Sequence, residues 1–140
     1  MKMVPLVAFA VLSLALVSCG ISGDKLAEAS CEDFESSPNV VKSIDLESIH
    51  DEYFSVYVCG DPSTGHRWSL PKSTNPNLLG FDYTEFVEGQ DTVDVEEAGL
   101  GVRRWRYEVI GTGEATLTSE YQRSGVAEPN RTFSLTVIVQ

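Results

Sequence analysis

Histidine, methionine and cysteine are scarce in this chain: two, two and three residues among 140. Metal and redox chemistry therefore have little to build on, and no C-x-x-C or H-E-x-x-H spacing is present. No serine or cysteine sits in a nucleophile elbow. His50 lies in the polar stretch Ser48-Ile49-His50-Asp51-Glu52 and reads as a solvated side chain. Cys59, Asp61 and His66 are near one another in sequence, but proximity around a turn does not hold a base against a thiol. No enzymatic activity is expected. The acidic run Asp82, Glu85, Glu88, Asp91, Asp94, Glu96 and Glu97 lacks the spacing and glycine of a calcium-binding hand, so neither metal nor cofactor is expected. Basic residues are few as well, ten against 21 acidic, for a net charge of −11. That field argues against nucleic acid and anionic lipid surfaces as partners. Internal repeats and low-complexity tracts are also missing, and the one helical alternative is a short amphipathic helix over Asp24–Phe34.

What is there begins with an address. Met1-Lys2 supplies a positive charge, Met3 to Val17 is almost uninterruptedly apolar, and Leu16-Val17-Ser18-Cys19 closes the run. This pattern predicts a signal peptide over residues 1–18, and its apolar stretch is short of the ~20 residues a spanning helix needs. Leu-Val-Ser-Cys also resembles the bacterial lipobox, in which the cysteine becomes the lipidated first residue of the mature chain. Cys19 would then carry a diacylglycerol and often a further acyl chain such as palmitate. Two or three chains give durable anchoring to the cell envelope: the outer membrane of a Gram-negative cell, or otherwise the outer face of the cell membrane. With Cys19 so used, Cys31 and Cys59 remain, an even number in an oxidising compartment. Either they are bridged, or Cys59 is a buried free thiol at a strand end and Cys31 lies loose near the N-terminus.

Residues 19–38 are poor in large apolar residues and rich in Ser, Asp and Glu, and read as a lipidated N-terminus and flexible tether. A domain over residues 39–140 follows, written in strands. A first strand is expected around Val40–Leu46, and Tyr53–Val58 is β-branched and aromatic. Arg67–Leu70 and Phe81–Val87 follow. Trp105, Tyr107 and Val109 then alternate with Arg104, Arg106 and Glu108, and two more period-two segments, Ala115–Tyr121 and Phe133–Val139, complete the chain. The expected fold is all-β, an immunoglobulin-like antiparallel β-sandwich of six to eight strands.

Three loops carry the sharpest signal. Asp61-Pro62-Ser63-Thr64-Gly65 follows the Tyr53 strand and leads into His66-Arg67-Trp68. Proline fixes one backbone angle, glycine permits a positive one, and Ser-Thr place small hydroxyls at the tip. Ala98-Gly99-Leu100-Gly101 precedes the strand bearing Trp105, and Arg123-Ser124-Gly125 follows Tyr121-Gln122.

In this order the loops resemble those of the chagasin family of cysteine-protease inhibitors. That family has Asn-Pro-Thr-Thr-Gly followed closely by Trp, then Gly-x-Gly-Gly before an aromatic-x-aromatic strand, then Arg-Pro-Trp after a strand ending in Tyr. The resemblance spans roughly residues 40 to 140. It implies an immunoglobulin-like sandwich that acts as a monomer, with three loops at one end filling the active-site cleft of a papain-like cysteine protease. Asp61, Pro62, Ser63, Thr64 and Gly65 would sit over the catalytic centre, Gly99, Leu100 and Gly101 against one rim, and Arg123 against the other. Trp68 and Trp105 are expected in the core, holding the loops. Ser124-Gly125 stands where the family has Pro-Trp. That departure motivates a second reading, an immunoglobulin-like envelope lipoprotein that binds a partner other than a protease.

The acidity is uneven. Seventeen of the acids fall within residues 24–97, while residues 99–140 hold four acids and five arginines. The expected binding edge is therefore closer to neutral than the body.

Overall fold

A computed structural model describes residues 23–88, 100–126 and 128–140. The expected signal peptide, Cys19 and Gly99 lie outside the described residues. Two sheets pack face to face. The strands are β1 (Lys25–Ala29), β2 (Asn39–Leu46), β3 (Tyr53–Gly60), β4 (His66–Trp68), β5 (Lys72–Ser73), β6 (Leu79–Glu88), β7 (Gly101–Val109), β8 (Gly113–Arg123) and β9 (Arg131–Val139). One sheet runs β1-β3-β7-β6, and the other β2-β9-β8-β4 with the two-residue β5 also on β8. The immunoglobulin-like sandwich expected from the period-two segments is therefore present, with nine strands among the described residues.

Two pairings correct the wholly antiparallel expectation. β1 runs parallel to β3, and β2 runs parallel to β9. Strand direction depends on which strands become neighbours, and alternation within a segment carries no trace of that choice.

Alternation does dictate the core. Val56, Val58 and Phe54 of β3, Trp105 and Tyr107 of β7, Ala115 and Leu117 of β8, and Phe133, Leu135 and Val137 of β9 are buried between the sheets. Fully burying an aliphatic or aromatic side chain of this size is worth about 1.5–3 kcal/mol. The opposite face of β7 is polar and tied down. Arg106 donates to Asp24 at 2.8 Å and to Asp82 at 2.6 Å, with its guanidinium 3.8 Å from the Tyr53 ring centre. Arg104 pairs with Glu85 at 3.2 Å and donates to the buried Ser55 hydroxyl. Asp82 and Glu85 of the acidic run thus answer arginines, while Asp91 to Glu97 lie outside the described residues.

The segment expected as a flexible tether is folded from Lys25 onward. β1 adds an edge to the first sheet and buries Ala27 and Ala29. A short helix, α1 (Cys31–Ser36), then crosses to the second sheet. It starts with a reciprocal cap. The Ser30 hydroxyl accepts from the Asp33 N–H at 3.1 Å, and the Asp33 carboxylate accepts from the Ser30 N–H at 3.0 Å. Such a cap is worth about 1 kcal/mol. Phe34 buries its ring, centred 5.4 Å from that of Trp68. Cys31 is bonded to Cys59 with their Cα atoms 5.1 Å apart, so the bridged alternative holds.

Candidate functional site

The two sheets bring their loops to one pole through register. The last residue of β3, Gly60, pairs with Gly101, the first of β7. The first residue of β4, His66, pairs with Arg123, the last of β8. The 61–65 segment bridges these two pairs and passes from one sheet to the other. Leu100-Gly101 therefore adjoins one of its ends and Arg123 the other. A Cβ placed on Gly65 would meet the Arg123 side chain at 3.7 Å.

The bridging segment is closed on itself. Pro62–Thr64 form a single 3-10 turn capped by Asp61, whose carboxylate accepts from the Ser63 N–H at 3.0 Å and also from the Ser63 hydroxyl. Thr64 Oγ1 donates to the Asp61 carbonyl at 2.8 Å and lies 3.0 Å from His66 Nδ1. Gly65 ends the turn at φ 81°, in the left-handed region that disfavours a side chain, and its N–H reaches the Pro62 carbonyl. Ser63 and Thr64 are exposed at the tip.

The root of the turn is held from below. The Tyr121 phenol accepts from the Asp61 N–H at 2.8 Å and donates to the Asp61 carbonyl at 2.9 Å. Trp68 donates from its indole to the Cys59 carbonyl at 2.9 Å, and its ring centre lies 4.9 Å from that of Tyr121. His66 stacks on the same tyrosine at 5.3 Å. Trp105 is fully buried, and Trp68 packs against the core more openly, with an edge-on contact between them at 6.4 Å.

Gly101 is demanded by space. An added Cβ would meet the Val87 carbonyl oxygen well inside van der Waals contact and Glu88 Cα at 2.9 Å. Beside it, Leu100 packs half-buried against the core and helps line a groove of about 300 Å³ with Thr64, His66 and the Cys31–Cys59 bridge. The third loop is a tight turn in which the Val126 N–H bonds the Arg123 carbonyl at 3.1 Å. Val126, not singled out in the sequence, is the apolar side chain exposed there, at 52%.

Among the described residues, the structure thus brings Asp61, Pro62, Ser63, Thr64, Gly65, Leu100, Gly101 and Arg123 together. Tyr121 is expected as a strand residue of Ala115–Tyr121 and as the lead-in to the third loop, and its part as the clamp on Asp61 was missed. So was Arg131, whose guanidinium lies over both Phe34 and Tyr121 at 5.3 and 5.5 Å. A tyrosine at an inward position of β8 looks like any other core aromatic, and its phenol's partner lies 60 residues away. His50 is exposed and lies 3.6 Å from Glu47, far from this pole. Among the described residues, no group of three or more His, Cys, Asp or Glu side chains converges as a metal site would require.

Residues 49–137 match the model of the chagasin family peptidase inhibitor I42. Among solved structures, the cysteine protease inhibitor EhICP2 from Entamoeba histolytica aligns with a TM-score of 0.57 and 14% identity, over 84% of this chain and 100% of its own. The solution structure of amebosin aligns with a TM-score of 0.52 and 24% identity, over 84% of this chain and 100% of its own. At these identities the likeness is one of fold. No curated protein matches the sequence.

Proposed function

This chain belongs to the chagasin family of peptidase inhibitors, and from that premise we propose that it reversibly inhibits papain-like cysteine proteases by filling their active-site cleft with one pole of the sandwich. The observation that carries this reading is the convergence of residues 61–65, Leu100-Gly101 and Arg123 through the two registers Gly60–Gly101 and His66–Arg123. A cleft-binding wedge needs a narrow tip, and Ser63 and Thr64 supply one between two flanks. It also needs to lose little entropy on docking. Here the backbone is fixed by its own cap, by Gly65 and by the Tyr121 clamp before any partner arrives.

The mechanism is occlusion. A papain-like enzyme cuts an extended strand laid along its cleft, whereas Pro62–Thr64 form a hydrogen-bonded turn. In this pose the turn covers the catalytic cysteine without presenting an extended peptide bond to it. Thr64 and the backbone from Pro62 to Gly65 face the catalytic centre, Leu100 and Gly101 lie against one rim, and Arg123 reaches the other. Without the family's Pro-Trp, the third loop offers Arg123 and the smaller Val126. Losing an aromatic anchor typically costs ~2–4 kcal/mol, so inhibition roughly 30-fold to 1,000-fold weaker than that of a Pro-Trp member is expected.

The address belongs to the same proposal: residues 1–18 are removed, and lipidated Cys19 anchors the monomer to the cell envelope. Mass spectrometry of the membrane-extracted chain tests it through the mass of its N-terminal peptide.

The test of function is residual papain or cathepsin L activity titrated with the soluble chain from Ile21 onward. Stoichiometric or micromolar inhibition is expected, and Thr64→Glu should abolish it while leaving the far-ultraviolet circular dichroism unchanged. No inhibition at tens of micromolar would overturn the reading and favour a non-protease envelope partner.

A further inference from the structure

The ion pairs among the described residues gather on the body of the sandwich, where they engage Lys25, Lys42, His50, Arg104 and Arg106. Arg67, Arg103, Arg123 and Arg131 lie at the loop pole instead, and among the described residues none has a carboxylate within 4.0 Å. Two of the four share a recess. Arg103 has the parity of Trp105 and Tyr107 on β7, so it points between the sheets, unlike Arg104 and Arg106. Its guanidinium lies 5.6 Å from the ring centre of Phe86, the residue opposite it on β6. Arg67 comes from β4, the edge of the facing sheet, and lines the same recess beside Pro62 and Trp68.

Burial holds the Arg103 pKa below the usual guanidinium value, and the neighbouring Arg67 charge pushes it the same way. Arg103 is half-buried with the exposed Arg67 beside it, a like-charge placement that costs the free protein stability, and an anion at the mouth between them offsets that cost. Guanidinium groups match a carboxylate in particular, through paired N–H donors. The recess also includes Gly60, Asp61 and Pro62, so whatever enzyme receives the 61–65 turn must bring its rim to this place. Residues 24–97 hold 17 of the 21 acids, so the body of the sandwich repels such a rim while this pole does not.

Resting on the inhibitor reading above, we infer that the Arg67–Arg103 recess is a docking site for an acidic side chain on the rim of the target protease, and that it selects acid-rimmed enzymes over others. Binding there forms an ion pair beside the wedge, which adds partner choice and a faster association to the occlusion that the wedge provides.

The experiment measures inhibition constants and their salt dependence for two papain-like proteases, one with an acidic cleft rim and one with a neutral rim. The wild-type chain should favour the acid-rimmed enzyme by about ten-fold or more at low salt. R67Q/R103Q should lose that preference and flatten the salt dependence, while inhibiting the other enzyme as the wild type does. Thermal unfolding of the variant at or above the wild-type temperature would accompany this, because the variant also removes the like-charge repulsion. Inhibition with the preference intact in R67Q/R103Q overturns the docking site alone. A preference that appears only after Asp91, Asp94, Glu96 and Glu97 are neutralised assigns the recess to the chain's own acids and also overturns it. Absence of inhibition of either enzyme overturns the inhibitor reading and this inference together.

Discussion

Tyr121 and Asp61, 60 residues apart, close a ring of two hydrogen bonds: one phenol oxygen takes the Asp61 N–H at 2.8 Å and gives its proton to the Asp61 carbonyl at 2.9 Å. Both backbone groups at the entry to the 61–65 turn are thereby satisfied by a single side chain rooted in the opposite sheet. Tyr121→Phe keeps the ring and its stacking but leaves both groups without that partner. A loss of about 1–3 kcal/mol in unfolding free energy is expected. The variant should also inhibit more weakly, because the turn's backbone is no longer fixed before docking. Denaturant unfolding and protease titration of the same sample check the two effects together.

A glycine contrast tests whether space at Gly101 shapes the second loop. Gly101→Ala drives a Cβ into the Val87 carbonyl, so β6 and β7 must part near the pole. A destabilisation of about 1–3 kcal/mol is expected, as for overpacked cores. Gly111→Ala, in a turn where an added Cβ meets nothing within 4 Å, should stay within about 0.5 kcal/mol of the wild type. Equal effects at the two positions would refute the steric account.

The Cys31–Cys59 bridge links α1 to the residue just before Gly60. Replacing both cysteines by serine should lower stability by roughly 3–4 kcal/mol if the cross-link acts by restricting the unfolded chain. Inhibition should weaken too, since the bridge holds the base on which the turn stands. Unfolding curves with and without reductant, on the wild type and the double variant, separate the bridge from the substitution.

Acid should loosen α1 before the sandwich. The N–H of Ser30, and to a lesser degree Lys42, hold the Asp33 carboxyl below its usual range. A carboxyl with a lowered folded pKa stabilises above its unfolded value and ceases to do so as pH falls through the folded one. The cap is therefore intact near neutrality and begins to fail below about pH 4. Because Phe34 packs on Trp68, tryptophan fluorescence should change in that window. Asp33→Asn should show the loosened signal already at pH 7 and lose the transition.

Much of the sandwich was legible because burial imposes a period of two, and Trp105, Leu117 and Leu135 obey it. The 61–65 turn was legible because Pro62 and Gly65 have few other reasons to stand three residues apart in a polar stretch. β1 and α1 were not legible. Five and six residues are too short to display a period, and their buried side chains, Ala27, Ala29 and Phe34, are small or solitary. The one local clue was Ser30 three residues before Asp33, a capping pair with aspartate where glutamate is more usual. The Arg67–Arg103 recess was hidden for a different reason: the residues sit on facing sheets, and only the packing of one sheet on the other joins them.

The direction of β1 has a geometric consequence. It runs parallel to β3, from Lys25 beside Phe54 to Ala29 beside Val58, and β3 ends at the loop pole. The chain therefore enters the body at the far pole and climbs towards the loops. Four residues from Cys19 to Gly23 reach at most about 14 Å. With Cys19 lipidated, the sandwich would stand close upon the bilayer, its arginine-ringed end turned outward to whatever arrives from solution.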